Sequence, residues 1–208
     1  QVIGVSEGES RGKSSGAACY VSRSNVIVNN IIFENNYANL KGNDILSSGG
    51  AMHIIETVCN FKNCSFYNNT AYSKQDGIVS YAIGGAIYCD DSNGTINECN
   101  FINNTAYADA NVDINDCSRY GGAVNLLSSS FTFNFCNFLN NTCFSTGNIS
   151  YAYAGAVLYQ DCPSIFFFDC KFIDNIVKST VGDSNTCGGA LFIHSSERLI
   201  IDCIILRN

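Results

Sequence analysis

The chain has 208 residues, a net charge of −7, one proline, no tryptophan and 14% charged residues. That acidic balance, with no basic patch, argues against nucleic acid as a partner, and no apolar run approaches the ~18 residues of a membrane-spanning helix. Plentiful Phe, Tyr and Ile, with no sustained 3.6-residue period, point to an all-β chain.

Along the chain, Ser15-Gly16-Ala17-Ala18 is the first and weakest copy of a recurring phrase. It returns as Gly49-Gly50-Ala51-Met52, Gly84-Gly85-Ala86-Ile87, Gly121-Gly122-Ala123-Val124, Ala154-Gly155-Ala156-Val157 and Gly188-Gly189-Ala190-Leu191. The second glycines stand at 16, 50, 85, 122, 155 and 189, a step of 33 to 37 residues. Each copy leads to a Cys-x-Phe-x-x-Asn phrase: Cys64/Phe66/Asn69, Cys99/Phe101/Asn104, Cys136/Phe138/Asn141 and Cys170/Phe172/Asn175. The first copy carries Ile31/Phe33/Asn36 and the last Cys203/Ile205/Asn208. A constant step with constant internal spacing predicts a parallel β-helix of six coils over residues 1–208, in one domain, each coil resting on its neighbours.

Residues 84–106 serve as the pattern for one coil: GGAIYCDDSNGTINECNFINNTA. Their alternation predicts three short strands. The following segment, polar and uneven in length, reads as a surface loop. Equivalent residues then stack at about 4.8 Å, giving a rod of roughly 29 Å. Phe33, Phe66, Phe101, Phe138 and Phe172 form one inward ladder. Asn36, Asn69, Asn104, Asn141 and Asn175 form another at a corner, each amide bonding the backbone and the next Asn.

The residue before each corner asparagine should face outward. In three copies that residue is Asn68, Asn103 or Asn140, each followed by Asn-Thr, so the exposed asparagine is the glycan acceptor. Asn63, Asn93 and Asn148 are further acceptors, although an asparagine-rich chain also generates such triplets by chance.

At this point the pattern resembles a known one. GGA[I/V/L/M] with FxxN, as in Phe66-Tyr67-Asn68-Asn69, Phe101 to Asn104, Phe138 to Asn141 and Phe172 to Asn175, is similar to the polymorphic outer-membrane-protein repeats of chlamydial surface proteins. The resemblance implies a right-handed parallel β-helix, passenger-like, secreted or on a cell surface, used in adhesion or as a scaffold. The cysteine load, the glycosylation triplets and the lack of a barrel segment depart from the bacterial pattern and favour a eukaryotic secreted protein.

Twelve cysteines suggest an oxidising compartment. Cys64, Cys99, Cys136, Cys170 and Cys203 share one ladder, where parallel side chains strain a bridge, so buried thiols acting as small hydrophobes are the simpler account. Cys19, Cys59, Cys89, Cys117, Cys143, Cys162 and Cys187 fall outside it and are the better candidates for disulfide clips. There is no CxxC pair and only two histidines, His53 and His194, which argues against zinc. Asp109-x-Asn111-x-Asp113 alternates oxygen ligands but lacks the glycine and closing glutamate of a calcium loop, so it is a weak candidate. Asp90-Asp91 is the one adjacent acidic pair that could serve a polysaccharide lyase or hydrolase. It lies in a turn, where aspartate is favoured for backbone reasons.

Asn208 ends the sixth phrase, so the chain would run on seamlessly into another copy. Two readings follow: subunits stacking head to tail into an extracellular fibril, or a stretch of a longer adhesin stalk. A carbohydrate-active enzyme is the third. No cofactor is expected beyond N-linked glycans. Partners are copies of the chain and possible surface carbohydrate or protein ligands.

Overall fold

The structure is a computed structural model that describes residues 5–9, 12–42, 45–75, 79–110, 116–146, 149–179, 183–194 and 197–208. Among these, no helix occurs. The first coil supplies β1 (Val5–Glu9), β2 (Gly12–Ser15), β3 (Cys19–Ser22), β4 (Asn25–Asn29) and β5 (Ile32–Glu34). Each begins a six-stranded sheet whose members come from successive coils. All pairings are parallel and in phase: Phe66 lies between Phe33 and Phe101, Ala71 between Ala38 and Ala106, Ile87 between Met52 and Val124. The chain is a parallel β-solenoid.

The cross-section has two parts. The β3, β4 and β5 sheets enclose a body filled with large apolar groups. Phe33, Phe66, Phe101, Phe138 and Phe172 stack with centroids 4.7–4.9 Å apart and rings within 4° of parallel. Phe61, Phe133 and Phe167, from the β4 sheet, meet that column edge-on at 5.4–5.8 Å. Edge-to-face pairs of this kind add about 0.5–1.5 kcal/mol each beyond area burial.

The second part is a fin made by the β1 and β2 sheets. It corrects the expected surface loop: each coil has five strands, and the polar segment supplies two of them. Its inward positions do alternate, but apart from Leu40 and Ile45 in the second coil they carry mainly small and hydroxyl residues. Ala38, Ala71, Ala106, Ala108, Ser73 and Ser145 face Ile45, Ser47, Ser80, Ala82 and Ala152, all buried. Such residues let two sheets approach until side chains bond across: Ser73 Oγ lies 2.6 Å from Ser80 Oγ, and Ser47 Oγ donates to Ala38 O at 2.6 Å.

The recurring glycines mark where fin returns to body. Gly84 has φ +61, the left-handed region that side chains disfavour. Gly85 has no room: a Cβ there would stand 2.1 Å from Gly122 O and 2.5 Å from Thr105 N. In the fifth copy Ala154 takes the left-handed position, at φ 58.

Candidate functional site: the corner ladders and the end coil

Gly42 and Gly94 aside, every described residue of left-handed φ sits at one of four corners. One is the glycine corner. The second holds Arg23, Glu56, Asp91, Ser128 and Asp161; the third Asn30, Asn63, Glu98, Phe135, Asp169 and Asp202; the fourth Asn35, Asn68, Asn103, Asn140, Asp174 and Arg207. The residue after each turns inward, and those residues form ladders that bond coil to coil.

At the fourth corner the ladder is asparagine. Asn69 Oδ1 accepts from the backbone N–H of Asn36 at 3.1 Å and from its Nδ2 at 2.6 Å. Asn69 Nδ2 donates to Phe33 O and to Asn104 Oδ1. Asn104, Asn141 and Asn175 repeat the scheme at 2.8–3.1 Å. The amide thus closes backbone groups that the corner leaves open. At the second corner hydroxyls do the same work. Thr57 N donates to Ser92 Oγ, Ser92 N to Ser129 Oγ and Ser129 N to Cys162 Sγ, at 3.0–3.2 Å.

At the third corner the ladder is thiol: Cys64, Cys99, Cys136, Cys170 and Cys203 are free. Among the others, Cys19, Cys59, Cys89, Cys162 and Cys187 are also free, which corrects the expected disulfide clips. The reason is register. Cys19 lies beside Met52, Cys59 between Val26 and Gly94, Cys89 between Ile54 and Leu126, and Cys187 beside Tyr153. Cys143 is buried between Ala106 and Val177, and Cys162 completes the hydroxyl ladder. No neighbouring strand offers any of these a sulfur at its own register. The side chain of Cys117 lies outside the described residues.

The proposed glycan acceptors Asn68, Asn103 and Asn140 have φ of 54–56°, and Asn63 in the third corner has φ of 50°. Asn68, Asn140, Asn63 and Asn93 are exposed and Asn103 is half-buried. Asparagine tolerates left-handed φ better than most residues, so the backbone alone accounts for its recurrence there. Asn63 Nδ2 donates to Asn30 Oδ1 at 2.8 Å, and Asn68 Nδ2 to Asn35 Oδ1 at 3.3 Å. Asn148 lies outside the described residues, as do Asn111 and Asp113 of the calcium-like run. Asp109 spends its oxygens on Tyr72 Oη (3.4 Å) and Thr146 Oγ1 (2.9 Å), with Lys74 Nζ at 3.8 Å.

The acidic pair divides. Asp91 is an exposed corner residue, while Asp90 pairs in register with Ile55 and Leu127, so no acid adjoins it on either coil. Burial, then Asp91, raises the Asp90 carboxyl above the usual range. His53 and His194 occupy different rows. His53 fills the crease between body and fin. Its Nδ1 is 2.8 Å from Ser48 Oγ, its Nε2 is buried with no partner among the described residues, and Tyr88 meets its ring edge-on. Burial, then nearby Lys13, lowers its pKa to about 4. The alternation around His53 gave no sign of this crease, because His53 points away from the body interior and is covered by the fin.

The two end coils differ from the middle. Asn36 Oδ1 is buried and, among the described residues, lacks the two donors that every later ladder oxygen receives. In the last coil Leu199, Ile200, Ile201, Ile204, Ile205 and Leu206 are 37–49% exposed.

These features define a class: a repeat-built parallel β-solenoid held by corner ladders. Residues 63–90 match the Chlamydia polymorphic membrane protein (Chlamydia_PMP) repeat. The matched span runs from the Cys64/Phe66/Asn69 phrase through the next Gly84-Gly85-Ala86-Ile87, so it covers one passage from corner ladder to glycine corner. No curated protein and no solved structure matches the chain.

Proposed function

We propose that this chain is a structural, non-catalytic β-solenoid of a secreted or surface-displayed glycoprotein, stacking head to tail with copies of itself into an extracellular fibril. The observation that carries the reading is the complementarity of the two end coils. Among the described residues no donor reaches the buried Asn36 Oδ1. Asn208 Nδ2 sends one hydrogen to Phe172 O and turns the other back to Leu206 O at 2.7 Å, where Asn175 reaches the next asparagine. In such a stack a second copy laid in register sets Ile205 beside Phe33 and covers the exposed residues of the last described coil. Surface display is supported by the match of residues 63–90 to a repeat named for membrane proteins, and by the outward asparagines of the glycan triplets.

Negative-stain microscopy of the native material tests stacking: filaments are expected, lost in Ile205→Glu, and discrete monomers at high concentration overturn it. Deglycosylation with a mass loss tests the glycans. A second reading places the covering coil in the same polypeptide, as in an adhesin stalk. It is favoured if the intact deglycosylated mass lies well above 22.5 kDa. Turnover of uronate polymers, abolished by Asp91→Ala, would instead establish an enzyme.

A further inference from the structure

Along the third corner the residue of left-handed φ is asparagine in the first two coils, then Glu98, Phe135, Asp169 and Asp202. Phe135 stands out on two counts. Its φ is 54°, in a region that bulky side chains avoid, and it is 59% exposed. Asn30 and Asn63 take the same bend at 57° and 50°, so the backbone does not ask for an aromatic residue there.

The Phe135 ring heads one wall of a groove of about 360 Å³. That wall is the corner row, Phe135, Asp169 and Asp202 in successive coils. The facing wall is the outward row of the β5 sheet, where Asn137, Lys171 and Ile204 are register partners. The groove thus runs along the side of the rod over three coils, roughly 10 Å.

Its charges are unanswered. Elsewhere a corner carboxylate meets a cation one coil away: Glu56 with Arg23 at 2.8 Å, Asp174 with Arg207 at 2.7 Å and Glu98 with Lys62 at 4.0 Å. Asp169 and Asp202 are instead like-charged neighbours, about 4.8 Å apart along the axis. Both are exposed and, among the described residues, neither has an ion-pair partner, Lys171 included. Two carboxylates against one ammonium leave the groove with a net negative charge. A cation placed between the ring and the carboxylates is attracted by all three.

We infer that this groove is a docking site for an arginine side chain on an extended segment of a partner protein. Guanidinium suits the groove better than ammonium, because its plane stacks on the Phe135 ring while its N–H edge stays free for Asp169 or Asp202. Asn137 Nδ2 is engaged with Asn100 Oδ1 at 2.8 Å, and its own Oδ1 is a further acceptor for the segment. The groove lies on the side of the rod, so its occupation does not depend on end-to-end stacking.

The test titrates the full, isotope-labelled chain with a capped peptide of alternating glycine and arginine, followed by amide shifts, with the neutral citrulline peptide as control. Saturable shifts are expected at residues 135–137, 169–171 and 202–204, weakening with salt, and none with citrulline. Phe135→Asn should weaken binding about five-fold, with the thermal midpoint unchanged or raised, since asparagine already serves this bend. Asp202→Asn should weaken binding about two-fold and Lys171→Gln should tighten it about two-fold. Binding unchanged by Phe135→Asn would reveal only a general attraction to an acidic chain and overturns the inference. So do equal binding of the citrulline peptide, shifts centred elsewhere, no saturable binding, or a charge variant that fails to move in its stated direction.

Discussion

The body and the fin are parts of the same coils and are stacked in the same parallel manner, yet they are held together by different means. The body buries rings: its phenylalanine column alone runs through five coils. The fin buries methyl and hydroxyl groups, and its two sheets are bonded across by serines. Burying a large side chain contributes about 1.5–3 kcal/mol and a small one far less. The body therefore holds most of the apolar stabilisation, and the fin gains its order from being continuous, strand by strand, with the body. The comparison teaches that a solenoid with regular hydrogen bonding throughout has uneven stability across its section.

That contrast can be broken or sharpened by experiment. The largest effect is expected from Phe101→Ala, which opens a cavity between Phe66 and Phe138; it should cost about 4 kcal/mol in a urea titration. Asn104→Ala strands the N–H and Nδ2 of Asn69 and the carbonyl of Phe66, and should cost about 3 kcal/mol by the same measurement.

The seam between the two parts is tested by pH. His53 is neutral in the fold, with its pKa lowered from 6.5 to about 4. The unfolded chain takes up the proton first, so stability falls as pH drops from about 6.5 to about 4, by roughly 3 kcal/mol, with no further loss below. His53→Gln should flatten the decline between pH 6.5 and 4.5, a window above the range of Glu56 and Asp174, whose carboxyls Arg23 and Arg207 hold low. Equal slopes in variant and wild type would remove His53 from the account. The smallest effect belongs to Ser73→Ala in the fin, about 1 kcal/mol or less. A loss as large as that of Phe101→Ala would show that the fin stabilises the chain as much as the body does.

The body was legible in the sequence because its signal is made of large residues at a fixed step: Phe66 and Phe101, Ile87 and Val124. The glycine corner was legible too, since Gly84 and Gly85 answer to two separate steric demands. The fin was not. Ala71-Tyr72-Ser73 and Ser80-Tyr81-Ala82 alternate, but alanine and serine inward with tyrosine outward invert the usual contrast between core and surface. The other corners were only partly legible. Asn68 and Asn103 advertise left-handed backbone, whereas Glu56, Ser128 and Phe135 take the same φ without any compositional sign. The thiol ladder was visible as spacing.

The corner geometry has a consequence for how such a chain diversifies. At each bend the backbone demands a conformation, while the side chain it carries projects outward and serves no interior role. Arg23, Glu56, Asp91 and Ser128 follow one another at a single bend, and Asn140, Asp174 and Arg207 at another. Vertical neighbours sometimes join, as Arg23 does with Glu56 at 2.8 Å and Arg207 with Asp174 at 2.7 Å, but both pairs are largely exposed and contribute little. Three edges of the rod are thus writable, the glycine corner being closed by its own packing: their charge, bulk and decoration can be redrawn coil by coil while the ladders one residue further on keep the layers aligned.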